Sequence, residues 1–191
     1  MAHVGKAQQD NSDLDSRLVS SLDGCQLIDN HNFFDERGTF RKILPLEHGI
    51  TSSHFSVSQI NLSHNRIVGT VRGLHYQVEP FAESKLVSCI SGSVFDVLLD
   101  LRPKSPTYGK FACYRLTPAS GSLLISPLVA HGFQTLEEDT VLLYIHTNDY
   151  SPADSKGINP LDAELRIPWT LPISKISDSD RDLPSLSEVV V

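Results

Sequence analysis

Cysteine is scarce in this chain of 191 residues, and Cys25, Cys89 and Cys113 are odd in number and widely spaced. That spacing excludes a disulfide framework and a cysteine zinc site. Cys89 and Cys113 fall in apolar, strand-like runs, where a thiol serves as a small buried hydrophobe. No apolar run approaches the roughly 18 residues of a membrane span. The opening Met1-Ala2-His3-Val4-Gly5-Lys6 has no apolar core of a secretory signal, so the expected location is cytoplasmic. Basic residues are the minority, with 16 Lys and Arg against 23 Asp and Glu and a net charge of −7. Without a basic stripe, nucleic acid is excluded as a partner. An anionic ligand must therefore be drawn in by local Arg and Lys against the field of the whole molecule. Helical periodicity is equally sparse, limited to a turn or two near residues 13–22 and 161–165.

What remains is strand. Hydrophobic residues make up 40% and charged residues 20%, the balance of a globular protein. Residues 1–20 are polar and irregular and are expected to be a flexible segment, with residues 21–191 forming one domain. Strict alternation runs from Phe55 to Leu62, and turn signals recur at Arg37-Gly38, Ser91-Gly92, Ser105-Pro106, Ala119-Ser120-Gly121 and Ser151-Pro152. Short, evenly spaced strands of this kind predict an all-β sandwich or barrel. In the strand 94–101, Phe95, Val97, Leu99 and Leu101 make one apolar row, and Val94, Asp96, Leu98 and Asp100 make the other. In 140–146, Val141, Leu143 and Ile145 share one side, and Thr140, Leu142, Tyr144 and His146 the opposite one. A jelly roll accounts for both, one face packing sheet to sheet and the other lining a cavity.

Against this background the run Arg72-Gly73-Leu74-His75-Tyr76-Gln77, followed by Lys85-Leu86-Val87, stands out, because a core needs no Arg, His and Lys so close together. His75 is a candidate general base, since a neutral imidazole can take a proton without prior activation. Regular alternation would turn Arg72 away from His75, and a bulge at Gly73 would re-aim one of them. Tyr144 is a candidate general acid, with His146 a lesser rival on the same face. His131, before Gly132-Phe133, reads equally as a structural hydrogen bonder or a pocket ligand. Arg37, Gln59 and Asn61 are plausible ligands for phosphate and base. Asp180 lies in an acidic run that ordinarily reads as a solvated turn. A metal site of the cupin kind would need a second His and a carboxylate beside His75, where Tyr76 and Gln77 stand instead.

Together these motifs resemble the nucleotide-sugar 3,5-epimerases typified by dTDP-4-dehydrorhamnose 3,5-epimerase. The resemblance runs from about Leu27 to Leu186. Its markers are Phe34-Asp35-Glu36-Arg37-Gly38, the segment Gly69 to Gln77, Lys85-Leu86-Val87, Ser105-Pro106-Thr107-Tyr108-Gly109 and Ala130-His131-Gly132-Phe133. It implies a cupin-type jelly roll (a double-stranded β-helix), a homodimer that exchanges N-terminal strands, and no metal or organic cofactor. It also implies a nucleotide-diphosphate sugar as substrate, dTDP-4-dehydro-6-deoxy-D-glucose above all, epimerised at C3 and C5. By the same resemblance His75 is the base, Asp180 orients it, Tyr144 is the acid and Lys85 sits near the C4 oxygen. Arg37, Gln59, Asn61, Arg72, Lys85 and His131 hold the nucleotide and sugar. Lys42, Ser155 and Ser179 depart from the Glu, Glu and Lys common in the family, which leaves the nucleotide and the number of epimerised carbons open. The alternatives are a single-centre epimerase of a specialised deoxysugar pathway, a metal-dependent cupin oxygenase, and a sugar-binding cupin without chemistry.

Overall fold

The computed structural model describes residues 17–44 and 55–189. Its strands are β1 (Leu18–Val19), β2 (Gln26–Ile28), β3 (His31–Asp35), β4 (Gly38–Lys42), β5 (Gln59–Asn65), β6 (Val71–Gln77), β7 (Lys85–Ser91) and β8 (Val94–Asp100). They continue with β9 (Phe111–Leu116), β10 (Ser122–Ile125), β11 (Val129–Thr135), β12 (Thr140–His146) and β13 (Ser155–Gly157). One helical turn, α1 (Asp178–Arg181), and a 3₁₀ turn at Leu186–Glu188 follow. One sheet runs β1-β9-β8-β11-β6-β13 and the other β2-β10-β7-β12-β5, with β3 and β4 a separate hairpin. This is the all-β, cupin-type jelly roll. Among the described residues no helix is long and apolar enough to cross a membrane.

Several local expectations shift. Leu18 and Val19 pair in parallel with Phe111 and Ala112, so the fold takes in residues assigned to the flexible segment and to a helical turn. Residues 1–16 lie outside the described residues. Residues 161–165 form turns, not helix, and the helical turn comes instead at Asp178, where the Ser177 side chain accepts from the Asp180 N–H. The strand expected from Phe55 begins only at Gln59.

The core is layered differently from the sequence reading. Val94 and Leu98 of the mixed row pack between the sheets against Val87, Cys89, Leu123, Ile125 and Leu142. The all-apolar row instead lies on the outer face, where Val97, Leu99 and Leu101 pack with Ile158, Leu165 and Ile167. The segment from Ile158 to Val189, although it shows no strand alternation, supplies the apolar cover that this outer face requires.

The bulge near Gly73 is present. Between the pairs His131↔His75 and Phe133↔Arg72, β11 advances two residues while β6 advances three. Gly73 adopts φ +110° and passes so close to β11 that a Cβ there would lie 2.5 Å from Gly132 Cα. A Cβ on Gly132 would meet Arg72 O at 2.7 Å and Gly73 Cα at 3.2 Å. Both crossing points must therefore be glycine. Gly132→Ala is expected to cost about 1–3 kcal/mol through overpacking, read as a lower urea midpoint.

Candidate active site

The bulge decides the site. With one extra residue in β6, Arg72 and His75 point to the same side although three positions separate them, and both line a cavity of about 610 Å³. Gln59 and Asn61 from β5, Lys85 from β7, His131 from β11, Tyr144 from β12 and Asp180 from α1 line the same cavity. His75 stands on one sheet and Tyr144 on the other, so they approach the space from opposite sides. Eight of the nine expected site residues are thus brought together.

Arg37 is the exception. It sits at the tip of the β3–β4 hairpin, exposed and paired with Asp35, and does not line the cavity. That pairing lowers the Asp35 pKa and raises that of Arg37. The Phe34-to-Gly38 motif encodes the turn, whereas where the turn lies relative to the cavity is a tertiary matter. Of the departures from the family pattern, Ser155 and Ser179 line the cavity and Lys42, at the end of β4, does not.

His75 Nε2 lies 2.7 Å from Asp180 Oδ1. A neutral imidazole then donates Nε2–H to the carboxylate and keeps its Nδ1 lone pair free to accept a proton. Burial raises the Asp180 pKa, but hydrogen bonding and charge from His75, the Gly73 N–H and Ser177 outweigh it, and the carboxyl titrates below its usual range. An ionised Asp180 stabilises a cationic His75.

Tyr144 is partly buried, its ring 5.9 Å from both His131 and His146. Burial raises its pKa, Asp96 adds to the rise and Arg72 opposes it. The phenol therefore stays protonated at neutral pH, as a proton donor must. Arg72 Nε donates to Asn65 Oδ1 at 2.7 Å, which fixes the guanidinium plane while its side chain lies exposed to the cavity. His131 Nε2 lies 2.8 Å from the fully buried Asp96 Oδ2.

Lys85 is 8% exposed, with Nζ 3.4 Å from Glu83 Oε1 and 3.4 Å from His75 O. Burial lowers its pKa and the Glu83 carboxylate works against that. Glu83 also reaches His146 Nδ1 through Oε2 at 2.9 Å. Sequence reasoning passed over Glu83 and over Asp96 as the partner of His131. The available signals were Glu83 two positions before Lys85 and Asp96 on the mixed face of its strand.

The three thiols are free, and burial pushes Cys89 up to about 11 and Cys113 up to about 12, so they are packing groups and not nucleophiles. Among the described residues no cluster of three or more His, Cys, Asp or Glu could hold a metal ion.

The family model described as dTDP-4-dehydrorhamnose 3,5-epimerase matches residues 19–188. A dTDP-4-dehydrorhamnose 3,5-epimerase of Sinorhizobium fredii is 39% identical over 186 residues, covering 94% of this chain and 95% of that protein. A dTDP-4-dehydrorhamnose 3-epimerase of Streptomyces niveus is 38% identical over 133 residues, 69% of this chain and 64% of that protein. The crystal structure of the Bacillus anthracis dTDP-4-dehydrorhamnose 3,5-epimerase with TDP and PPi bound superposes with a TM-score of 0.81 at 36% identity. It covers 85% of this chain and 94% of that one.

Proposed function

The chain belongs to the dTDP-4-dehydrorhamnose 3,5-epimerase family, and from that membership we propose that it epimerises a dTDP-linked 4-keto-6-deoxyhexose at C3 and C5. In such a sugar both carbons are α to the C4 ketone, so loss of either proton gives an enolate and the substrate is its own electron sink. His75 Nδ1 takes the proton, and Asp180 stabilises the imidazolium that results. Lys85 faces the oxygen that gains negative charge. Tyr144 returns a proton to the carbon from the other side, and exchange with solvent resets both groups. The observation that carries this reading is His75 on one sheet, held by Asp180 of α1, facing a protonated Tyr144 on the other sheet across a single cavity.

Solvent deuterium wash-in at each carbon, followed by NMR, tests it. Label is expected at both C3 and C5. Label at one carbon alone would support the second reading, a single-centre epimerase, which the similarity to the Streptomyces niveus 3-epimerase brings forward.

Arg72 is assigned to the diphosphate. Because the phosphates do not change charge as the sugar reacts, Arg72 binds ground and transition states alike. Arg72→Ala should raise KM roughly 10- to 100-fold, the range of one charged hydrogen bond, and lower kcat far less. Gln59, Asn61 and His131 complete the contacts to the nucleotide and sugar.

The same reading includes a homodimer. Phe33, Phe34 and Phe40 are 58%, 76% and 71% exposed on the hairpin, more apolar surface than a monomer ordinarily leaves bare. A second copy covering that face would account for it, and would give Arg37 a cavity to reach in the partner. Light scattering should return twice the 21.1 kDa chain mass. A cytoplasmic location fits the three free thiols.

A further inference from the structure

Three imidazoles line the cavity and each is held by a carboxylate: His75 by Asp180, His131 by Asp96 and His146 by Glu83. The proton transfers use the first pair and substrate binding the second. The third, His146 with Glu83, has no part in either.

Glu83 and His146 are 7% and 9% exposed, so the carboxylate depends on its partners in place of water. Its two oxygens are divided, Oε1 toward the Lys85 ammonium at 3.4 Å and Oε2 toward His146 Nδ1 at 2.9 Å. The second bond requires the imidazole proton on Nδ1. That leaves Nε2 as an acceptor, and Asn61 Nδ2 lies 3.4 Å from it. A chain of side chains therefore runs from β5 through β12 to the start of β7 and ends on Lys85. The ammonium has three donors. One is directed to Glu83 and one to His75 O at 3.4 Å, which leaves a single N–H to turn into the cavity.

We propose that Glu83, locked by His146, is a positioning residue for Lys85: it sets the direction of the one free ammonium N–H and keeps the buried lysine charged for the enolate. This rests on the epimerase reading above. Burial works to strip the proton from Lys85 and Glu83 opposes it, in keeping with the second role. A purely structural Glu83 would only tie the segment before β7 to β12, and its loss would act independently of Lys85.

The two accounts separate in a double-mutant cycle on the full-length protein, with the dTDP-linked 4-keto-6-deoxyglucose as substrate and deuterium wash-in as the rate. Glu83→Gln keeps the shape and removes the charge. It should lower kcat roughly 10-fold, part of the 10²–10³-fold cost of losing an oxyanion donor outright, with KM within about twofold. Added to Lys85→Ala, it should cost nothing further. His146→Ala should behave in the same way, weaker and again silent in the Lys85→Ala background, and serves if Glu83→Gln melts early. Costs that multiply in the double variants, or a Glu83→Gln enzyme with unchanged kcat, overturn the proposal. Failure of the unsubstituted enzyme to exchange either carbon overturns the epimerase reading itself, and the positioning role with it.

Discussion

Replacing His75 with alanine should slow deuterium entry at C3 and at C5 together, by about 10²–10⁴-fold, the usual worth of a positioned acid or base. Both positions should fail because one base serves both. C3 and C5 flank the same ketone, and His75, exposed to the cavity, keeps its Nδ1 free while its Nε2 is committed to Asp180 at 2.7 Å. Asp180→Asn should lower the same two rates by less, since the amide still holds the ring but no longer stabilises the imidazolium. It can also leave the wrong nitrogen protonated, so part of the loss reflects tautomer and part electrostatics. Persistence of exchange at one carbon in His75→Ala would show that a second base serves it, and the one-base mechanism would have to be given up.

Tyr144→Phe separates proton removal from inversion. The base and the ammonium stay in place, so the enolate still forms, but the donor on the far side is gone. Epimerised product should fall by about 10²–10⁴-fold, while deuterium continues to enter recovered starting sugar with its configuration retained, returned from the His75 side. Loss of a hydroxyl from a partly buried ring leaves the packing against His131 and His146 intact, so the variant should fold. A Tyr144→Phe enzyme that inverts its substrate at the original rate would remove Tyr144 from the reaction. The raised pKa of Tyr144 supports the assignment in one respect: the phenol remains loaded with its proton across the physiological range.

Much of the fold was legible because strand faces are local. The alternation over 140–146 sorts the two faces correctly, but the row that carries Leu142 and Tyr144 both lines the cavity and meets the inter-sheet core, and Ile145 falls in a separate cluster. The strand 94–100 was equally plain, but not which of its rows met the other sheet. Both rows are apolar enough to be covered, and the choice belonged to a C-terminal segment whose own pattern shows no period. Phe55 to Ser58 alternate like a strand, yet the one backbone bond there to a sheet strand among the described residues is from Ser58 N–H to His146 O of β12 at 2.8 Å, and the strand itself starts at Gln59. A periodic pattern shows which side chains would share a face if a strand forms, not whether a neighbouring strand is there to pair with it.

The site divides in the same way. Residue types and short spacings within the chain, together with the family they resemble, determined the chemistry: an imidazole, a phenol, an ammonium and a guanidinium on strands of a jelly roll. The tertiary structure alone decided that Arg72 and His75 face one way, through an extra residue in β6 where two glycines cross. It tied Glu83 to His146, kept Arg37 away from the cavity, and supplied the 2.7 Å contact across 105 residues of chain behind the Asp180–His75 pairing that only the family resemblance had implied. The physical reason is range. Side-chain direction along a strand follows from neighbours two positions apart, whereas the partner of a buried charge is whichever group the packing of distant segments leaves beside it.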